Sequence, residues 1–479
     1  MITLNLILVT LSIFISVSVA GHALLTKRTP STALGWIAVC LLFPVAGILL
    51  YFLFGINRVE TRAKKLDSQV SDCPLDCGPY HNATADAALK AEDLPLPLYF
   101  SQIARISDTV THLPLVYGNH IDVLHNGEAA YQSMLESIEQ ATRHIFLITY
   151  IFETNPTGLQ FIDALGRAVD RGVSVKVIID GVGEYYNWPK AGSLLKKRGV
   201  TVARFIRPRL LPLSIHINLR NHRKILITDG HTAYTGGMNI GGRHMAQNIS
   251  NPRRVIDMHF RLTGPVVLQM EQTFLEDWAF CTGKNLHPHT DFHETAGNAF
   301  CRTIKDGPNE DINKLSTIIV GAISAARQQV MVMTPYFLPS VEMVSALQSA
   351  ALRGVDVNIV LPGKNNLPFV AWATRHMLKD LLYRGVKVYF QPPPFVHTKL
   401  FVVDRHYAQV GSANFDPRSF QLNFELCVEI YEKRVAGTLN EHILEQIRRS
   451  KPVSLHEIKN RSLGIKIRDA VAWLFSPYL

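Results

Sequence analysis

The feature that most constrains the fold of this chain is an internal repeat that ends twice in the same residue pattern. His-x-Lys-x4-Asp followed by Gly-[Gly/Ser]-x-Asn occupies residues 222–239 and again residues 397–414. Before each copy, helical stretches end at Arg-Gly and lead into β-branched runs such as 173–180 and 355–361. Glycine readily ends a helix, and β-branched runs favour buried strands. The sequence therefore predicts an α/β protein built from two similar halves with pseudo-two-fold symmetry.

Two long apolar stretches precede the repeat. Residues 2–25 and 34–54 contain no Asp, Glu, Lys or Arg, and a polar turn with Lys27 and Arg28 separates them. Either stretch is long enough to cross a hydrocarbon layer of about 30 Å. We predict a transmembrane helical hairpin; a signal peptide cleaved after Ala20 is the alternative for the first stretch.

The position of the cations suggests an orientation for this hairpin. More Lys and Arg residues follow the second apolar stretch than lie in the turn, which predicts a cytoplasmic catalytic part. The expected location is the inner (cytoplasmic) membrane, crossed more than once. The predicted domains are a two-helix anchor at 1–58, a linker at 59–109, a first half at 110–300 containing 222–229, and a second half at 301–479 containing 397–404.

The overall charge and the cysteines limit the partners and cofactors. A formal net charge of +10 favours an anionic partner, either nucleic acid or an acidic membrane surface. Cys73 and Cys77 form a C-x3-C pair in the linker, but no second pair follows at the spacing of a zinc site. We therefore predict no metal and no other cofactor.

The repeated motif suits phosphate chemistry. Residues two apart on a strand point to the same face, so His222 with Lys224, and His397 with Lys399, can address one phosphate. One copy would be weak evidence, whereas two copies with matching glycine and asparagine positions are strong evidence. The remaining candidates in the motif are Asn239 and Asn414, as neutral donors, together with Asp229 and Asp404, which we expect to serve the turn after the strand more than the chemistry.

The paired motifs resemble the two signature motifs of the phospholipase D superfamily, and the likeness covers the chain from about residue 110 to its end. In that family both motifs form one site that requires no metal. The resemblance implies that His222 is the nucleophile and His397 the general acid and base, while the residues themselves leave this order open. Lys224 and Lys399 would neutralise the non-bridging phosphoryl oxygens.

Carboxylates are needed to orient two such histidines. Glu425 and Asp257 are the candidates, because each opens a β-rich stretch after its motif; an ordinary surface acid is the alternative, and a stronger one for Asp257. Arg418 is a candidate bidentate phosphate ligand, with a structural salt bridge as the alternative.

Three further segments resemble bacterial cardiolipin synthases within that superfamily: the hairpin at 30–55, the run at 416–425 and the C-terminal 473–479. The resemblance implies transfer of a phosphatidyl group between two phosphatidylglycerols through a phosphohistidine, giving cardiolipin and glycerol. A phospholipase D-type hydrolase, a transferase with another acceptor, a tethered nuclease and an inactive lipid-binding scaffold remain alternatives. The oligomeric state is not predicted.

Two basic and aliphatic segments favour lipid over nucleic acid. Residues 204–223 mix cations with large aliphatic side chains and contain Phe205 as their one aromatic residue, whereas nucleic-acid stacking needs aromatic side chains. Residues 461–475 predict an interfacial amphipathic helix, with a core-packing helix as the alternative. The expected partners are phosphatidylglycerol, cardiolipin and an anionic membrane surface.

Overall fold

A computed structural model describes residues 2–27, 30–55, 88–89, 97–206, 219–286, 295–307 and 313–476. The chain divides into two compact units, Met1–Ala63 and Lys64–Leu479. The Cys73 and Cys77 pair, residues 207–218 of the first basic segment and residues 477–479 lie outside the described residues.

The N-terminal unit is helical. Helices α1 (Ile2–Thr26), α2 (Pro30–Leu42) and α3 (Ala46–Leu50) are followed by a π-helical turn, Tyr51–Gly55. Ala23 and Cys40 are buried between the helices, and the Tyr51 hydroxyl lies 2.7 Å from His22 Nδ1. Within the described residues no helix is both long and apolar enough to cross a membrane. The predicted helices are present and pack on each other, but the transmembrane character of the hairpin is not confirmed.

The larger unit alternates helices and strands. Its described helices are α4 (Leu98–Thr111), α5 (Asn126–Gln140), α6 (Pro156–Asp170), α7 (Ala191–Lys197), α8 (Val266–Thr282), α9 (Lys314–Ala325), α10 (Val341–Leu352), α11 (Pro368–Tyr383), α12 (Pro417–Gln421), α13 (Lys433–Arg449), α14 (Leu455–Lys459) and α15 (Leu463–Leu474). Its described strands are β1 (Ala88–Leu89), β2 (Leu115–His125), β3 (His144–Thr149), β4 (Ser174–Asp180), β5 (Thr201–Phe205), β6 (Arg220–Asn221), β7 (Ile225–Thr228), β8 (Thr232–Gly236), β9 (Val255–Ile256), β10 (Met258–Thr263), β11 (Ala299–Asp306), β12 (Gln329–Met333), β13 (Asp356–Pro362), β14 (Lys387–Gln391), β15 (Phe395–Val396), β16 (Leu400–Val403), β17 (Tyr407–Gly411), β18 (Asn423–Tyr431) and β19 (Lys451–Pro452).

The same strand order occurs twice. In the first half the order is β2-β10-β8-β7-β3-β4-β5, and in the second it is β11-β18-β17-β16-β12-β13-β14. In each half the last three strands are parallel and the others antiparallel. Strands β2 and β11 pair antiparallel and join the two sheets. The predicted α/β fold of two similar halves is therefore confirmed.

Each half has its own hydrophobic core between sheet and helices. In the first half Phe161 and Leu165 of α6 pack with Val177 of β4, and in the second Leu347 of α10 packs with Ile359 of β13. Burying each such side chain contributes roughly 1.5–3 kcal/mol. The two cores hold the sheets rigidly, so side chains at the strand ends have fixed positions.

The helix ends predicted at Arg-Gly are present. Helix α6 ends at Asp170 and α10 at Leu352, and the glycines that follow, Gly172 and Gly354, both have a φ of +88°. This left-handed conformation costs glycine little because it has no Cβ. The chain therefore leaves each helix at the same angle and enters the next strand in the same register.

Candidate active site

The two motif histidines lie where one half of the catalytic unit is paired with the other. His222 follows β6, which pairs in parallel with the start of β18, and its N–H donates to Phe424 O at 2.9 Å. His397 follows β15, which pairs in parallel with β9, and its N–H donates to Ile256 O at 2.8 Å. Each histidine is thus held against the residue that precedes a carboxylate of the opposite half.

Those carboxylates contact the histidine rings. His222 Nδ1 lies 3.0 and 3.1 Å from the two carboxylate oxygens of Glu425, and His397 Nδ1 lies 2.9 Å from Asp257 Oδ2. Both carboxylate side chains are fully buried, while the histidine side chains keep 14% and 12% of their surface exposed. A carboxylate on Nδ1 fixes the ring orientation. Nε2 of His397 lies 3.2 Å from Lys399 Nζ, so the motif lysine contacts this ring.

The two motif lysines are buried at the same place. Lys224 Nζ donates to His222 O at 2.6 Å, and Lys399 Nζ donates to His397 O at 2.7 Å. Burial lowers the pKa of Lys224 to about 7 and that of Lys399 to about 8, although Glu425 and Asp257 oppose the shift. Lys399 also lowers the pKa of Lys224, so the cations of the two halves act on each other.

Burial also governs the histidines and carboxylates. It lowers the pKa of His222, and together with the Lys399 charge it lowers that of His397 to about 4. Burial would raise the pKa of Glu425, but His222, Lys224 and Ser412 together lower it to about 2. These shifts favour neutral imidazoles beside ionised carboxylates. A neutral imidazole is the form that can attack phosphorus.

The glycine and serine of the repeated Gly-[Gly/Ser]-x-Asn pattern stand beside the carboxylates. Ser412 Oγ donates to Glu425 Oε2 at 2.5 Å, and Asn423 Nδ2 donates to Glu425 Oε1 at 3.1 Å. At the corresponding position of the first half, a Cβ on Gly237 would lie 2.5 Å from both Asp257 oxygens. The serine supports one carboxylate, and the glycine makes room for the other.

The motif asparagines are buried beside these groups. Asn239 Oδ1 accepts a hydrogen bond from the Ile151 N–H at 3.1 Å. Asn414 Nδ2 lies 3.4 Å from Ser419 Oγ, and Asn414 Oδ1 has no hydrogen-bond partner among the described residues. Within the described chain, the hydrogen bond of the Asn239 side chain is made by Oδ1, and its NH2 group donates none.

Arg418 lies in the first turn of α12, which the Asp416 side chain caps by accepting from Ser419 N at 2.8 Å. Its guanidinium is half-buried and forms no ion pair within the described part of the chain. Burial lowers the pKa of Arg220, Asp180 opposes this shift, and the Arg418 charge adds to it.

Asp229 and Asp404 are not part of the group around the histidines. Asp229 accepts from the backbone N–H groups of residues 142–144, and Asp404 accepts from those of residues 327–329. Burial would raise the pKa of Asp229, but these donors lower it overall. Each aspartate therefore ties the turn after its motif strand to the chain before the neighbouring strand.

Two tyrosines that the sequence did not indicate lie beside the histidines. The Tyr150 ring centre lies 5.4 Å from that of His222, and the Tyr336 ring centre lies 6.3 Å from that of His397. Burial raises the pKa of Tyr336 to about 12 and also raises that of Tyr150, so both stay protonated donors. Tyr150 directly follows β3, whereas Tyr336 lies three residues after β12 and corresponds to Ile151 in the repeat, so the repeat alone does not identify the pair.

The first basic segment is partly engaged within the protein. Arg204 pairs with Glu184, with Nε 2.5 Å from Oε2, and Arg223 pairs with Asp277 in the interior. These two cations therefore belong to the fold, while residues 207–218 between them lie outside the described residues.

Comparison with known proteins supports one family. Residues 134–278 and 319–447 match the family described as cardiolipin synthase, PLD-like domain, and residues 10–55 match the phospholipase D-nuclease N-terminal family. The major cardiolipin synthase of Bacillus subtilis (strain 168) is 32% identical over 471 residues, which cover 95% of each chain. The cardiolipin synthase of Geobacillus kaustophilus (strain HTA426) is 31% identical over 482 residues, covering 98% of this chain and 93% of the relative.

A solved structure shares the fold. The phosphatidylserine synthase of Haemophilus influenzae Rd KW20 superposes with a TM-score of 0.62 at 12% identity, covering 79% of this chain and 100% of that one. At this identity the likeness concerns the fold alone. With more than half of the sequence matching one family and relatives aligned over almost their full length, the chain belongs to the cardiolipin synthase family of phospholipase D-like proteins.

Proposed function

We propose that this protein is a cardiolipin synthase that transfers a phosphatidyl group from one phosphatidylglycerol to the headgroup hydroxyl of a second, giving cardiolipin and glycerol. One observation carries the proposal: two histidines, each held by a buried carboxylate of the other half, share a centre with two buried lysines. The names of the relatives support the choice of substrates.

In the first step His222 is the nucleophile. His222 Nδ1–H donates a hydrogen bond to Glu425, so the Nε2 lone pair is free to attack phosphorus and forms a P–N bond, leaving a cationic phosphohistidine. The P–O bond to the glycerol headgroup breaks, and the departing oxygen takes a proton from His397. A bound phosphodiester anion favours the charged form of His397, which counteracts the lowering of its pKa by burial.

In the second step the reaction is reversed with a new alcohol. The headgroup hydroxyl of another phosphatidylglycerol gives its proton to His397 Nε2, and its oxygen attacks phosphorus. The P–N bond breaks, and His222 returns to its neutral form. Both steps balance with no other reactant.

The surrounding donors would stabilise the negative charge on the phosphoryl oxygens. Lys224 and Lys399 are placed to neutralise the non-bridging oxygens, Asn239 and Asn414 to donate to them, and Arg418 to bind a phosphate from the rim. Developing charge is stabilised most in a site from which water is excluded, and the lysines are only 2% and 6% exposed. Exclusion of water also favours transfer to a lipid hydroxyl over hydrolysis.

We further propose that the hairpin of the N-terminal unit anchors the protein in the inner membrane, that the catalytic part is cytoplasmic, and that residues 110–300 and 301–479 act as the two halves of one enzyme. Large apolar side chains support the anchor: Phe14, Leu25, Leu42 and Phe43 are each at least 60% exposed on the helical unit. Water would disfavour such a surface, and hydrocarbon would not.

The test is thin-layer chromatography of lipids after the purified full chain is incubated with labelled phosphatidylglycerol in mixed micelles. We expect cardiolipin and glycerol from the intact protein and from His231→Ala, which changes an exposed histidine in the turn after β7. We expect neither product from His222→Ala.

The products distinguish the alternatives. Phosphatidic acid without cardiolipin would make the protein a phospholipase D-type hydrolase. No product from any phospholipid, together with nicking of plasmid DNA, would make it a nuclease. Cardiolipin formation by His222→Ala would contradict the assignment of His222 as the nucleophile.

A further inference from the structure

A second cationic site lies under the C-terminal helices. A cavity of about 650 Å³ is enclosed by the end of β14, the end of α13, and the helices α14 and α15. It is lined by six cationic side chains: Lys364, Arg375, Arg449, Lys451, Arg461 and Arg468. None of these residues contacts either motif histidine within the described chain.

The charges of this cavity are only partly neutralised. The buried carboxylate of Asp469 is shared by Arg461 and Arg468, while Lys451 pairs with Glu457 and Arg449 with Glu445. Lys364 and Arg375 form no ion pair within the described residues. Three carboxylates thus face six cations, and the excess attracts an anion.

Apolar side chains line part of the cavity beside the cations, namely Phe390, Ile458 and Ile465. Helix α15 packs on α11 through Ala472, which is fully buried, and its opposite face presents Leu463 at 73%, Ile467 at 55% and Leu474 at 66% exposure. The core-packing alternative is therefore confirmed for one face of this helix, while its interfacial role stays a prediction. The Arg468 guanidinium lies 4.5 Å from the Trp372 ring centre, so an aromatic side chain also borders the cations.

We propose that this cavity receives the phosphodiester headgroup of an anionic phospholipid, and that it docks the catalytic part on an anionic bilayer together with the exposed face of α15. The cavity combines its cations with the apolar side chains of Phe390, Ile458 and Ile465, which matches a headgroup with acyl chains next to it. A nucleic acid would leave these apolar side chains exposed to water, and stacking needs more aromatic side chains than this cavity offers.

The docking site is connected to the catalytic site through the chain. Pro392 and Pro393 line the cavity, and the same segment continues through β15 to His397. The cavity is a separate site, because its cations belong to other elements than Lys224 and Lys399.

The experiment is hydrogen exchange, read by mass spectrometry, of full-length His222→Ala in neutral detergent micelles with increasing mole fractions of phosphatidylglycerol. This background prevents turnover, so the result does not depend on the proposed reaction. We expect peptides covering residues 455–474 to become protected by phosphatidylglycerol and not by phosphatidylcholine. Adding Lys364→Gln and Arg375→Gln should raise the mole fraction for half-protection by roughly 25-fold, since each cation near an anionic surface contributes roughly fivefold in binding.

Lys379→Gln is the matched control, because Lys379 is an exposed cation on α11 that does not line the cavity. It should leave the titration unchanged. Equal protection by inorganic phosphate would indicate a simple anion site, and equal protection by a single-stranded oligonucleotide would indicate nucleic-acid binding. Either result, or equal protection by the two lipids, would overturn the proposal.

Discussion

In the first half of the catalytic unit Asp257 contacts His397 through one oxygen, while in the second half Glu425 contacts His222 through both. The backbone around them is the same: each histidine N–H donates to the residue before the carboxylate, at 2.8 and 2.9 Å. The repeat therefore builds one scaffold twice, and a few side chains make its two copies chemically different.

The residues behind the carboxylates continue this comparison. Glu425 accepts from the Ser412 hydroxyl and the Asn423 amide, whereas Asp257 Oδ1 accepts from the Met258 backbone N–H at 2.8 Å. The two carboxylates therefore have the same histidine-orienting position but different supporting donors.

The largest expected effect comes from the histidines. His222→Ala and His397→Ala should each reduce turnover by at least about 10³-fold. A phosphatidyl substrate with a p-nitrophenol leaving group needs no proton donor, so it should restore enzyme-bound phosphatidyl formation in His397→Ala. Acid quenching and peptide mapping would locate the label on His222. Rescue of His222→Ala in place of His397→Ala would exchange the two roles.

The buried lysines should affect activity and stability in opposite directions. Lys224→Met should lower turnover by about 10²–10³-fold, because one cation at the phosphate is lost. The pKa of Lys224 is about 7 in the folded protein against 10.5 for an ordinary lysine, so the unfolded chain binds more protons between these values. The free energy of unfolding therefore rises with pH across this window.

Thermal melting at pH 6 and pH 9 measures this effect. The variant should melt higher than the parent at pH 6 and show a weaker rise with pH. Lys196→Met, which changes an exposed lysine of α7, is the control and should follow the parent. A variant that is less stable than the parent at pH 6 would contradict the assignment.

Exchanging the glycine and the serine tests the difference between the halves directly. Gly237→Ser should reduce turnover by about 10²-fold, because its Cβ would lie 2.5 Å from the Asp257 oxygens and displace the carboxylate from His397. Ser412→Gly should cost about tenfold and raise the pKa of Glu425 through loss of a donor, which moves the acid limb of the pH–rate profile upward. Equal effects of the two changes would mean that the halves are interchangeable.

The smallest effect on activity is expected at the turn aspartates. Asp229→Ala and Asp404→Ala should each lower the free energy of unfolding by about 1–3 kcal/mol, since three backbone N–H groups lose their acceptor. Turnover at a temperature well below the melting point should change by less than about threefold, because these residues do not contact the histidines. Urea unfolding and the chromatographic assay measure the two quantities. A large loss of turnover in a stable variant would return these residues to the catalytic group.

Local pattern determined much of this protein. The helix ends at Gly172 and Gly354 and the buried strands depend on neighbours a few residues away, and the sequence predicts them for that reason. The sequence also predicts His222 and Lys224 on one strand, but they lie in the link between β6 and β7, because the strand pairing with β18 ends at Asn221. The existence of two equivalent halves follows from the repetition itself. The family resemblance then supplied the expected chemistry.

Only the tertiary structure decided which groups meet. His222 lies beside Glu425 across 203 residues of chain, and His397 lies beside Asp257 across 140. No local pattern indicates that each histidine takes its carboxylate from the opposite half, because strand pairing between halves brings the two together. The tyrosines beside the histidines and the basic cavity under α15 arise in the same way, since residues distant in sequence become neighbours when the sheets and helices pack.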